Sequence, residues 1–312
     1  MPLLLSTNCR LPSSVKLSFK FMKLAKLSAL LIGLALCFPP PAQAQTLYEP
    51  RSQQEYSLEE IADDLATANP IYLGETHDDA SDRVAQLQII QTLYDRDPNI
   101  AIGMEMFQRP YQSVLDAYIA GEITEDQLLE QSEYNTRWGY DWDSYAPLLR
   151  FARDRQIPVL ALSAPSELTR KVATNGWESL SEAERQQLPP LEEIHTDNED
   201  YRQRLYEIYE AHLHGGHGNA EDFDRFFFVQ VLWDETMAET IAHFLQSHPN
   251  YQVIAIAGAQ HIIGGDGIPD RVARRIPLSD ETSSVPRSIL LYPQTELEAM
   301  PAAEAADYFW QF

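Results

Sequence analysis

The sequence predicts an α/β fold: a mostly parallel sheet with helices on both faces and a helical excursion over a site at the strand ends. Two observations predict it. Short apolar runs that stop abruptly at polar residues alternate with longer amphipathic stretches. Two of those runs end in the same pattern, Gly74-Glu75-Thr76-His77 and Gly258-Ala259-Gln260-His261.

Taken in order, strands are expected at 70–74, 99–106, 157–163, 252–257 and 287–292. The stretches 80–94, 109–119, 144–155 and 166–174 carry helical periodicity between them. From about 177 to 228 the alternation breaks. Here stand Pro189-Pro190, a charged helix at 198–213, the turn His214-Gly215-Gly216-His217-Gly218 and a long helix from about 220 to 246. This stretch reads as a helical, lid-like insertion into a single domain.

The first 44 residues read as a segment removed before folding. They hold five basic residues and no acid, then a mostly apolar run at 27–38, then Pro39-Pro40-Pro41 and Ala42-Gln43-Ala44. The run is short for a bilayer span, and a small residue stands at both recognition positions of a signal-peptide cleavage site. Residues 1–44 are therefore expected to be a secretory signal and 45–312 the mature domain, exported to the periplasm or the outer face of the envelope. Cys37 follows the apolar run, but the bulky Leu36 precedes it where a lipid-attachment site has a small residue, so soluble export is favoured over a lipid anchor. Both cysteines, Cys9 and Cys37, fall inside the signal. Disulfides and thiolate metal sites are thereby excluded from the mature chain.

Removing 44 residues from 312 leaves 268, with 18 basic residues against 47 acidic ones. So acidic a chain repels nucleic acid, which is excluded as a partner.

Ligands of open parallel sheets bind beyond the carboxyl ends of the strands. Two Gly-x-x-His segments leaving strand ends would carry His77 and His261 to that edge, with Glu75 and Glu105 beside them. Glu105 is the sharpest signal, because it sits in the apolar run Ile100-Ala101-Ile102-Gly103-Met104-Glu105-Met106-Phe107 and a buried carboxylate demands a partner. Arg109 and Arg137 are candidate ion-pair partners. The set suits a divalent transition metal held by His77 and His261, or metal-free acid–base chemistry at Glu75 and Glu105; spacing leaves both open. Asp78 and Asp79 are expected to cap the following helix. His214 and His217 on the glycine-rich turn are candidates for a metal or a propionate, and Tyr134, Tyr140 and Tyr145 lie in or near the aromatic segment Trp138-Gly139-Tyr140-Asp141-Trp142.

The motifs GETHDD, GMEMF, WGYDWDSYAPLLRFAR, FFFVQVLWDETMAETI and AIAGAQHIIGGDGIPDRVARR, in that order over 72–275, resemble the ChaN-like family of the haem-binding uptake, Tiki-type superfamily. The resemblance implies haem or iron as ligand, a role in uptake or handling at the cell envelope, and haem ligation by a tyrosine, for which Tyr134, Tyr140 and Tyr145 are the nearest candidates. It also implies distant kinship with Tiki-type metalloproteases and erythromycin-esterase-like hydrolases. Two functions are therefore carried forward: a haem- or iron-binding envelope protein, and a metal-dependent peptidase or esterase with Glu75 or Glu105 as general base. Expected partners are haem, iron or another small ligand, a second copy of the chain, and an envelope transporter.

Intact mass of the protein recovered from the envelope is expected to place Gln45 at the amino terminus. A diacylglyceryl mass on Cys37 would replace soluble export with a lipid anchor.

Overall fold

The structure is a computed structural model and describes residues 45–214, 223–276, 284–292 and 300–312. The expected signal at 1–44 and the His217 turn lie outside these residues, as does the His214 side chain. The strands are β1 (Thr46–Glu49), β2 (Gln54–Tyr56), β3 (Ile71–Glu75), β4 (Ile100–Gln108), β5 (Val159–Ser163), β6 (Gln252–Gly258), β7 (Arg287–Leu290) and β8 (Tyr308–Gln311). The helices are α1 (Leu58–Thr67), α2 (Ala80–Arg96), α3 (Gln112–Ile119), α4 (Glu125–Gln131), α5 (Tyr134–Arg137), α6 (Trp142–Arg155), α7 (Ser166–Asn175), α8 (Glu182–Arg185), α9 (Glu199–His214), α10 (Phe223–Ser247), α11 (Ile268–Arg275) and α12 (Ala302–Ala305).

The strands form one sheet in the order β2-β1-β8-β7-β3-β6-β4-β5. From β8 to β5 every pairing is parallel, while β1 pairs antiparallel with both β2 and β8. The five expected strands are all present. The edge strands β1, β2 and β8 were not anticipated, because three or four residues are too few to show a period of two.

Alternation along each central strand sorts its side chains to two faces. In β6, Ile254 and Ile256 enter a core built with α1, α2, α3 and α6, whereas Val253, Ala255 and Ala257 enter one built with α10 and α11. Large residues fill the first face and small ones the second, which lets the long α10 lie close to the sheet. Asp79 caps α2, its carboxylate accepting from Ser81 N at 2.8 Å.

The excursion has a core of its own. Trp177, Leu180, Leu188, Ile194, Tyr201, Leu205 and Phe227 pack together, with α9 against the first half of α10. The expected helical insertion is thus packed through this cluster against α7 and α10.

Ile256 is fully buried in the central strand β6. Ile256→Ala is expected to lower unfolding stability by about 2–5 kcal/mol, read as a lower urea midpoint with an unchanged slope.

Candidate functional site

The strands β3 and β6 are parallel neighbours, and Glu75 pairs in register with Gly258. The two Gly-x-x-His segments therefore leave the sheet side by side. On the far side of β6, β4 brings Glu105 to the same edge, where its register against β5 shifts between Met104 and Gln108. Such irregularities re-aim side chains. Ser163 Oγ donates to Glu105 O at 2.7 Å across the shift.

Glu75 has no exposed side-chain surface. Its Oε1 accepts from Tyr145 OH at 2.6 Å and lies 2.9 Å from His77 Nδ1; its Oε2 accepts from Gln86 Nε2 at 2.6 Å and from the Arg83 guanidinium. Arg83 also donates to Thr76 O at 3.0 Å and His77 O at 2.7 Å. All these donors come from α2, α6 and the turn after β3. Glu75, expected as a general base, is thus occupied on both oxygens and orients His77 instead. A carboxylate only accepts, so the His77 proton stands on Nδ1, and Nε2 lies on the side of the ring that faces Gly258 of β6.

The second imidazole is built from the other face of the sheet. His261 Nδ1 lies 2.6 Å from Asp234 Oδ1, and Asp234 is fully buried on α10. His261 Nε2 is 3.6 Å from Glu105 Oε1, while Glu105 Oε2 accepts from Gly258 N at 2.7 Å. His77 completes the group. A Cβ on Gly258 would come within 2.8 Å of His77 Cε1, 2.9 Å of its Nε2 and 3.7 Å of Glu105 Oε2. Only glycine lets the ring lie so close to the strand. Glu105 therefore stands among two imidazoles, each backed by its own carboxylate.

Neither arginine candidate pairs with Glu105. Arg109 Nη1 is 2.6 Å from Glu239, and Arg137 Nη2 is 2.6 Å from Glu167 and 2.8 Å from Glu133. The histidine and the glycine amide take that role.

Tyr134 and Tyr145, expected as ligand candidates, are buried, and burial pushes both phenols up. Tyr145 is spent on Glu75. Tyr140 is 38% exposed, and its ring lies 5.3 Å from both His77 and Trp138. Trp138 stands edge-on to His77 at 4.7 Å. Of the three phenols only Tyr140 is placed to meet a ligand. Among the described residues, no three His, Cys, Asp or Glu side chains are grouped to hold a metal ion.

Arg83, Gln86, Asp234 and Tyr201 were not expected at the site. Asp234 had the signal that marked Glu105, a charge closing an apolar run, here Phe226-Phe227-Phe228-Val229-Gln230-Val231-Leu232-Trp233. The others lie in polar helices where nothing sets them apart.

Burial opposes protonation of His261, but the Asp234 and Glu105 carboxylates overcome it and raise its pKa to about 9. His77 is likewise raised, burial being outweighed by the hydrogen bond to Glu75 and the charge of Glu105. Burial pushes Asp82 up to about 7 although Thr76 N donates to it at 2.7 Å.

An open, largely parallel sheet with imidazoles and carboxylates at its carboxyl edge defines an α/β protein with a strand-end site. The family described as haem-binding uptake, Tiki superfamily, ChaN matches residues 61–272, and the chain belongs to it. Its fold is similar to that of ChaN of Campylobacter jejuni, a structure titled for cofacial heme binding, with a TM-score of 0.68 at 18% identity over 86% of this chain and 97% of that one. A mutant of the erythromycin esterase EreC gives a TM-score of 0.46 at 14% identity over 86% of this chain and 82% of that one. The chain is also 24% identical over 264 residues to Protein RETICULATA-RELATED 5, chloroplastic, of Arabidopsis thaliana, a match covering 79% of this chain and 34% of the relative. The chain thus spans about a third of that relative's length.

Asp82, His77 and His261 all bind their protons more tightly folded than unfolded. Each contribution is present below the unfolded pKa and lost as pH rises through the folded one. Urea unfolding at a series of pH values is expected to show stability falling from about 4 to about 7 through Asp82 and from about 6.5 to about 9 through His261. Asp82→Asn should flatten the first limb and His261→Gln the second.

Proposed function

We propose that the chain binds haem and serves in haem or iron handling at the cell envelope, as an exported protein. Family membership supports this. The observation within the chain that carries it is Tyr140, a surface phenol beside Trp138 and His77. A phenolate can hold ferric iron, and flat aromatic walls suit a planar ligand. Export is supported by the basic, then apolar, then small-residue order of 1–44. No helix among the described residues is long and apolar enough to cross a membrane. The partners this role calls for are haem, an envelope transporter and a second copy of the chain.

A second reading, hydrolysis of an ester or peptide, is favoured by a separate observation: Glu105 lies close to both imidazoles, and each Nδ1 is already matched by a carboxylate. In this reading Glu105 and the Nε2 atoms of His77 and His261 exchange protons with a substrate and a water at the strand edge. Glu75 and Asp234 hold the rings.

Titration with hemin is expected to give a saturable Soret shift. Tyr140→Phe should weaken binding by about tenfold or more if the phenolate holds the iron, while Tyr134→Phe should bind as the parent does. A parent protein with no saturable shift would remove the haem reading. Chelator-insensitive turnover of ester or peptide probes, lost in Glu105→Gln, would favour metal-free hydrolysis.

A further inference from the structure

The excursion does more than bury apolar surface. Tyr201 of α9 is fully buried, and its hydroxyl donates to Asp234 Oδ2 at 2.5 Å. The other oxygen of Asp234 faces His261 Nδ1. One helical turn further on, Arg204 binds Asp266 Oδ2 at 2.6 Å and donates to Ile263 O at 2.9 Å, and Asn198 reaches Asp266 Oδ1 at 3.3 Å. These contacts grip the turn that follows His261. The excursion therefore holds His261 twice, through the carboxylate behind its ring and through the chain beyond it.

We propose that Asp234 is the positioning residue that keeps a proton on His261 Nδ1 and aims Nε2 at Glu105, with Tyr201 supplying the hydrogen bond that fixes Asp234. Its catalytic consequence rests on the acid–base reading given above. The physical case is local. A fully buried carboxylate needs donors on both oxygens, since an unpaired one carries a desolvation penalty. Here one donor is an imidazole and the other a phenol, while Arg271, Arg274 and Arg275 are turned to the neighbouring Glu235. The α10 helix thus points two adjacent acids in different directions, Glu235 into an arginine cluster and Asp234 to the histidine. A purely structural ion pair would gain more from an arginine, which presents two parallel donors to a carboxylate. Partnering with an imidazole leaves the second ring nitrogen directed at Glu105 on the sheet edge, which packing alone does not require.

The test is nitrogen-15 NMR of the histidine rings in the purified protein, with the His77 resonances as internal reference. The parent should show a downfield, slowly exchanging proton on His261 Nδ1. Asp234→Asn keeps the size but removes the charge; that proton should move upfield and exchange about tenfold faster, because charge-assisted hydrogen bonds are roughly twice as strong as neutral ones. Tyr201→Phe should shift it in the same direction by less. Should Asp234→Ala fold, its ring should lose a fixed tautomer; should it fail to fold, the isosteric variant decides. An Asp234→Asn spectrum identical to the parent's at His261 would overturn the assignment. With a chromogenic acetate ester as probe, Asp234→Asn should lower kcat by about 10- to 100-fold with little change in KM, the usual scale for a group acting through another. No turnover by the parent would sink the acid–base reading alone, because the NMR outcome decides the placement of Asp234 independently.

Discussion

A carboxylate without solvent at the end of β3 sets the terms for the whole carboxyl edge. Glu75 can remain there only because His77, Arg83, Gln86 and Tyr145 converge on it. Those donors arrive on α2, on α6 and on the turn between β3 and α2, so the helices of one face are locked to the strand end by one buried group. Removing a partner from such a group costs about 3–5 kcal/mol, because the charge is left without compensation. The site and the packing of that face are in this sense the same structure.

The other face repeats the arrangement with different parts. Asp234 replaces Glu75, His261 replaces His77, and Tyr201 takes the place of Tyr145 as the phenol that donates to the carboxylate. What joins the halves is Glu105, whose two oxygens are divided between the Gly258 amide and the His261 ring. The alanines of β6 contribute by letting α10 lie close enough for Asp234 to reach the edge. His77 belongs to both surroundings: its Nδ1 is held by Glu75 inside the edge, while Trp138 and Tyr140 pack around its ring.

The fold class and the gathering point of the site were legible because both depend on local patterns. Apolar runs with abrupt polar ends mark parallel strands, and the repeated Gly-x-x-His marks two strand ends that the sheet sets side by side. Glu105 was legible for the same reason, a charge inside an apolar run. Of its two partners the imidazole was legible, because Gly-x-x-His carries His261 to the same strand edge, whereas the Gly258 amide, from a strand adjacent in the sheet but about 150 residues away in sequence, was not, and the arginines that composition also offered pair elsewhere.

By itself the sequence determined an α/β domain whose two Gly-x-x-His segments share one edge with Glu75 and Glu105, since period, composition and strand-end chemistry are properties of short stretches. Only the tertiary structure decided which partners each carboxylate takes. Glu75 is surrounded by donors from three segments, Asp234 emerges from the middle of a long helix, and the three candidate tyrosines divide into buried Tyr134 and Tyr145 and exposed Tyr140. Those outcomes follow from helix placement across the two faces of the sheet, and burial, unlike periodicity, is decided by residues far apart in the chain.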